Sequence, residues 1–285
     1  MISALPLPYP FELTFMQRAL VAGVVVGAFA PMIGTFLVQR RMSLIGDGIG
    51  HLAFAGVGAG LVATVSPVWT ALLFAVVGAL GIEWLRSRRR ASGDLALALF
   101  FYSGIALGVV LVSRAQGLSA NILTYLFGQP LTASAEDVQL IVLLGAVIIA
   151  AILATRRALF AVVTDEEWST VAGLPVGLLN SLLALLAASA VVAAMRIVGI
   201  LLIAAMMVLP VASGQLLARS FRATLLWSTG IGVASVVGGL SASRVWDLAP
   251  SGTIVLISAG VFAVVAVVTR LRGARAVAKM EAGLG

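Results

Sequence analysis

The chain has no cysteine, one histidine, one lysine and few charges of any kind among its 285 residues. Without cysteine there is no disulfide, no thiolate metal site and no cysteine nucleophile, and the chain gives no redox clue to its compartment. Its one lysine, Lys279, lies near the C-terminal end, and no GxxxxGK[ST] pattern occurs, so a phosphate-binding loop is excluded. Charged residues make up 10%, against about 25% in soluble domains, which rules out a soluble globular fold. The remainder is apolar: 61% of residues are hydrophobic and the mean hydropathy is +1.15. The formal net charge of +7 does not make a nucleic-acid binder, because the basic residues sit in short bunches between apolar runs rather than on one solvated face.

Since a bilayer core of about 30 Å needs roughly 20 apolar residues per helix, charge-free stretches mark the spans. Phe15 to Val38 is the first, with Pro31 as a kink site. Gly48 to Ile82 is too long for one crossing, and Ser66-Pro67 divides it in two, since proline disfavours helix at the residue before it. Leu95 to Ser113, Val138 to Thr155, Val176 to Met195, Ile197 to Leu217, Ala223 to Ser243 and Gly252 to Thr269 follow. The expectation is an all-α polytopic membrane protein with about nine transmembrane helices (eight to ten), residues 1–285 forming a single transmembrane domain. The N-terminal stretch Met1 to Thr14 has three prolines and no basic residue, so it lacks the charged region of a cleaved signal peptide, and the first span is expected to stay.

Arginine and lysine set the direction. With the N-terminus outside, the cytoplasmic set is Arg40, Arg41, Arg86, Arg88, Arg89, Arg90, Arg156, Arg157, Arg219, Arg222, Arg270, Arg272, Arg275 and Lys279. The outside keeps Arg18, Arg114, Arg196 and Arg244. That alternation at every loop is a strong positive-inside bias and places the C-terminus in the cytoplasm. Residues 114–137, polar but without charge between Arg114 and Glu136, read as an extracytoplasmic loop or short surface helix. No short-period repeat or similarity between halves stands out.

The most informative stretch runs from Arg40 through Arg41-Met42-Ser43-Leu44-Ile45-Gly46-Asp47-Gly48-Ile49-Gly50 to His51. Four residues separate Asp47 from the only histidine, which in a helix puts both on one face. Carboxylate oxygen with imidazole nitrogen suits zinc, manganese or iron(II), and ionisable groups in a span usually face a cavity or a partner. One chain supplies two ligands; two copies meeting at a symmetry axis would supply four. An Asp–His hydrogen bond tying the helix end is the simpler alternative. Gly46, Gly48 and Gly50, followed by Gly56, Gly58 and Gly60, allow either close helix packing or bending beside the pair, a gating role.

Residues 164–175 read as a short cytoplasmic helix. Thr164 serves as its N-cap, Asp165, Glu166 and Glu167 suit its positive end, Trp168 is exposed, and Gly173 with Pro175 ends it. It is either a plain connector or a docking element. Pro210 interrupts the seventh span and either shapes a pathway or only packs, and Met206 and Met207 before it read as core. Glu83 lies near Arg86 and reads as a boundary ion pair.

Together these motifs resemble the membrane permease subunits of ATP-binding-cassette importers for zinc, manganese and iron(II). The likeness rests on Arg40 to His51, on Tyr125-Leu-Phe-Gly128 with Glu136-Asp137, on Arg196-Ile-Val-Gly199 leading to Val208-Leu-Pro210-Val-Ala212, and on Asp247-Leu-Ala-Pro-Ser-Gly-Thr-Ile-Val-Leu256. The resemblance implies that Asp47 and His51 meet the metal in the translocation path, with Gly46, Gly48, Gly50 and Pro210 near the pathway. It implies a pair of copies in a bacterial cytoplasmic (inner) membrane, with two ATPase subunits below and an extracytoplasmic metal-binding protein above. The segment around Asp165, Glu166, Glu167, Trp168 and Gly173 becomes the ATPase-coupling helix. No cofactor is bound permanently and the chain is not itself an enzyme; ATP belongs to the partner subunit. Some zinc-type relatives carry a histidine in the fourth span, where this chain has Tyr102-Ser103, yet the Tyr125 to Asp137 segment favours zinc over manganese or iron(II). The competing class is a secondary transporter of the drug and metabolite type, which needs no ATPase. A membrane-embedded metal enzyme would need a third ligand and a general base, for which no clustered candidates exist.

Overall fold

The computed structural model describes residues 9–88, 93–114, 119–129 and 133–282. Their regular structure is helical throughout, with no strand among the described residues. In chain order the helices are α1 (Thr14–Gln39), α2 (Ile45–Val62), α3 (Pro67–Ser87), α4 (Gly93–Arg114), α5 (Ser119–Phe127), α6 (Ala135–Thr164), α7 (Glu166–Val171), α8 (Val176–Ala194), α9 (Ile200–Leu217), α10 (Phe221–Trp246) and α11 (Pro250–Ala282). Eight of them, α1, α2, α3, α4, α6, α8, α10 and α11, are long and apolar enough to cross a bilayer. The other expected span is α9, a shorter apolar helix. Its first expected residues, Ile197 to Gly199, are instead in a loop, in which Gly199 takes a φ of 89°. Of the remaining expectations, Met1 to Pro8, Arg89, Arg90 and, within the segment 114–137, residues 115–118 and 130–132 fall outside the described residues.

The other boundaries follow local chemistry. Pro67 opens α3, where its missing N–H costs nothing, and Ser66 before it is extended. Helix α6 runs past the expected end at Thr155, through Arg156 and Arg157, to Thr164. Charge there does not end the helix. Ser134 and Asp137 form a reciprocal capping box that starts α6. The short helix expected at 164–175 is α7, but its cap is Asp165, whose carboxylate accepts from the Trp168 N–H at 2.8 Å. Thr164 is not the cap: it closes α6 and its hydroxyl donates back to the Phe160 carbonyl at 2.8 Å. Gly173, at a φ of 80°, turns the chain into α8.

Helices α1 and α2 form the inner layer. α1 packs on α6, α8, α9 and α10, whereas α2 packs on α3, α4, α8 and α9. Small residues permit this, because in lipid helices associate through close van der Waals contact rather than a hydrophobic gradient. Gly27 and Gly232 face each other so closely that a Cβ on either would strike the other's backbone oxygen. Pro31 lies beside them within an unbroken α1. Gly34 sits directly on the Met207 carbonyl of α9, and Gly56 on Thr70 and Ala71 of α3.

Gly34→Ala therefore forces α1 and α9 apart and is expected to destabilise the protein by about 1–3 kcal/mol. Thermal unfolding in detergent checks this against Gly260→Ala, where a methyl group meets open space and no loss is expected.

Candidate metal site and the ion-pair network beside it

Asp47 lies in the first turn of α2 and His51 one turn on, so the helix places both on the face toward α4. His51 stands edge-on to the Phe101 ring, with centroids 4.6 Å apart. Gly104 of α4 is what allows this approach, since a side chain there would meet the backbone of His51 and Leu52. His51 Nε2 and Asp47 Oδ1 are 3.8 Å apart, beyond hydrogen-bond range. The Asp–His hydrogen bond weighed as the alternative is therefore not formed. Both side chains remain partly accessible, and neither makes a hydrogen bond among the described residues. Among those residues no group of three or more potential ligands gathers, so the chain alone offers an oxygen and a nitrogen.

The neighbouring glycines serve close packing. Gly46 abuts Ala204 and Met207 of α9, Gly50 abuts the Ile200 carbonyl, and Gly48 faces Leu97 of α4. α2 is continuous across them. Pro210 likewise lies inside a continuous α9, and Met206 and Met207 are buried as core.

A chain of charges that the sequence only half revealed links the α1–α2 turn to α3, α7 and α8. Arg40, in the turn between α1 and α2, is buried with its side chain 6% exposed, and its Nη2 lies 3.8 Å from Glu83. Glu83, equally buried, also binds Arg86 at 2.8 and 3.1 Å. Arg86 in turn reaches Glu166 of α7 with both terminal nitrogens at 3.2 Å, and the Asn180 side chain donates to the same carboxylate at 3.0 Å. Burial pushes the Glu166 carboxyl up, but the hydrogen bond and charge of Arg86, the charge of Arg40 and the bond from Asn180 outweigh it and hold it below the ordinary carboxylate range. Burial, then the Arg86 charge, draws the Arg40 guanidinium down against the pull of Glu83 and Glu166. The Glu83–Arg86 pair was readable from i,i+3 spacing. Arg40, Glu166 and Asn180 carried no such local signal.

Glu166 thus points inward. The exposed side of this segment carries two large apolar side chains, Trp168 63% and Val171 88% exposed. Asp165 is spent on the cap, while Glu167 is exposed and engaged.

At another point in the fold, four separately recognised sequence segments converge. Gly128 and Gly199, both at positive φ, pass backbone to backbone. The Gln129 N–H donates to the Arg196 carbonyl at 2.9 Å, the Arg196 guanidinium binds Asp137, and the Ser251 hydroxyl donates to the Phe127 carbonyl.

Known proteins agree with this architecture. A family model described as the ABC 3 transport family matches residues 12–269, and the chain belongs to that family. The manganese transport system membrane protein MntC of Halalkalibacterium halodurans is 31% identical over 88% of this chain and 86% of its own. The high-affinity zinc uptake system membrane protein ZnuB of Haemophilus influenzae is 27% identical over 88% of this chain and 96% of its own. The solved structure of PsaBC from Streptococcus pneumoniae in complex with Fab contains a chain with a TM-score of 0.80 and 30% identity, covering 89% of this chain and 91% of that one. Family membership argues against the secondary-transporter reading.

Removing Glu83 leaves two guanidinium groups, one deeply buried, without their shared partner. Glu83→Ala is expected to cost about 3–5 kcal/mol, whereas Glu166→Gln, at a half-exposed pair, should cost about 1 kcal/mol or less. Chemical or thermal denaturation in detergent separates the two.

Proposed function

We propose that the chain is the permease subunit of an ATP-driven importer of divalent transition metal ions, working as a homodimer with two cytoplasmic ATPase subunits and an extracytoplasmic metal-binding protein. The observation that supports this most is the Asp47/His51 pair: two ionisable side chains on one face of a spanning helix, not hydrogen-bonded to each other, in a chain of the ABC 3 transport family. Uncommitted polar groups in a span are costly and are kept for a cargo or a partner. A second copy across an axis completes a four-ligand site of two carboxylates and two imidazoles, which suits tetrahedral zinc. Relatives named for manganese and for zinc match over the same length at comparable identity. Zinc, favoured by the Tyr125 to Asp137 segment, is the first ion to test, with manganese and iron(II) as competitors.

In this reading the N-terminus lies outside and the C-terminus in the cytoplasm, an orientation the arginine distribution supports, and the membrane is a bacterial inner membrane. Residues 114–137 then face the metal-binding protein, and residues 164–175 face the ATPase as the coupling helix. Trp168 and Val171 supply the apolar docking tip, Asp165 and Gly173 shape the ends of the segment, and Glu166 ties it to the interior through Arg86. Gly46 and Gly50 line the packed α2–α9 seam and Gly48 the adjoining α2–α4 contact; together with Pro210 inside α9 they are the positions proposed to slide or separate when the pathway opens.

His51→Ala is expected to reduce zinc uptake by reconstituted complex at least tenfold while dimer and ATPase assembly, followed by size exclusion, stay intact. Normal uptake by that variant sinks the proposed site. Val171→Asp places a charge on the docking tip and is expected to weaken co-purification of the ATPase severalfold without altering the unfolding temperature of the permease alone. Unchanged co-purification would remove α7 from the docking surface.

A further inference from the structure

Helices α6 and α10 both pack on α1 but scarcely on each other, so a wedge opens between them. It forms a cavity of about 610 Å³. Its walls are apolar, including Met32, Leu153, Leu225 and Leu226. Phe160 and Phe221, with ring centroids 4.6 Å apart, bridge the two helices, and Phe36 of α1 backs Phe221 at 5.1 Å. Three arginines line the same cavity: Arg156 and Arg157 on α6 and Arg222 in the first turn of α10.

These arginines differ from Arg40 and Arg86. All three are exposed, and no carboxylate lies within ion-pair distance of them among the described residues. Ser220, the cap of α10, also lines the cavity. Its oxygen accepts from the Ala223 N–H at 3.2 Å, which leaves the hydroxyl proton able to donate. Depth fits as well. From Asp137, near the start of α6, to Arg156 the helix rises about 28 Å, close to the hydrocarbon thickness of about 30 Å. The arginines therefore sit at headgroup level while the apolar walls lie at acyl-chain level.

We propose that this wedge is a binding site for an anionic phospholipid. Its phosphate is held by Arg156, Arg157 and Arg222 with the Ser220 hydroxyl, and an acyl chain lies along Met32, Leu153 and Leu225. A basic mouth over an apolar cleft selects charge and chain together, which neither a soluble phosphate nor a zwitterionic lipid satisfies. By filling the gap between α6 and α10, the lipid props the α6 segment that leads into α7.

The test uses the full-length chain in neutral detergent, titrated with phosphatidylglycerol or with phosphatidylcholine of the same acyl chains. Readouts are lipid retained in native mass spectrometry and the unfolding temperature. Phosphatidylglycerol is expected to be retained and stabilising, with phosphatidylcholine at least tenfold weaker. The double variant Arg156→Gln/Arg222→Gln should abolish that preference, whereas Arg270→Gln/Arg272→Gln, which removes the same charge from exposed α11, should keep it. Leu225→Trp fills the cleft with every arginine intact and should still lose the bound lipid. Equal retention of both lipids by the native chain, equal losses in the two double variants, or full retention by Leu225→Trp would each overturn the proposal. Glycerol 1-phosphate matching phosphatidylglycerol would overturn it in favour of a soluble phosphate ester.

Discussion

A buried guanidinium cannot stand alone in a membrane protein, and Arg40 imposes that constraint on everything around it. Its side chain is withdrawn into the turn between α1 and α2, where desolvation is severe and only a nearby carboxylate makes the charge tolerable. Glu83 meets the need from α3. Because Glu83 must also be shared with Arg86, and Arg86 with Glu166, one buried charge fixes the relative positions of α1, α2, α3 and α7. Asp47 and His51 begin only seven residues beyond Arg40, so their depth and facing are inherited from the same anchor. A carboxylate chain of this kind is a geometric constraint more than a source of stability, since desolvation consumes much of the Coulombic gain.

The small residues act in the complementary sense. Where Arg40 pins, glycine permits. α1 reaches α9 and α10 at Gly34 and Gly27, and α2 reaches α9 and α4 at Gly46, Gly50 and Gly48. Each glycine leaves a notch that a neighbour fills, Met207 at Gly46, Ile200 at Gly50 and Leu97 at Gly48, so the inner layer is closely packed with knobs on one side of each contact only. The outer helices differ: α4 and α11 show long exposed apolar faces, which is where lipid or a second copy must lie.

Much of the fold was legible because lipid leaves few choices. Charge-free runs of about 20 residues had to be helices, and Ser66-Pro67 divided a stretch that hydropathy alone would have fused. The short helices α5 and α7 also lay where polar segments predicted them. The late start of α9 was not legible, because Ile197 to Gly199 reads as apolar continuation and the loop's contact with the backbone at Gly128 is distant in sequence. Thr164 misled because both it and Asp165 are good caps, and the longer α6 claimed the threonine for a backward hydrogen bond. The Asp47/His51 pairing needed only helical periodicity. The Glu83–Arg86–Glu166–Asn180 chain needed contacts over 80 residues of separation, which one sequence does not encode visibly.

The scarcity of charge that first marked this chain gives each remaining charge a position to explain. Arg40, Glu83, Arg86 and Glu166 neutralise one another in a line, and Asp137 and Arg196 do so elsewhere. Asp47 faces only a histidine at 3.8 Å, too far for a hydrogen bond, and Arg156, Arg157 and Arg222 have no carboxylate at all among the described residues. Among the described residues, the Asp47/His51 pair and the clustered arginines of the wedge are the unpaired groups that lie together against a cavity or a spanning-helix face, and these are the places proposed for an external ligand. The cation is proposed beside the carboxylate of α2, and the anionic headgroup among the arginines of the wedge. Charge complementarity gives the two proposed sites opposite ligands.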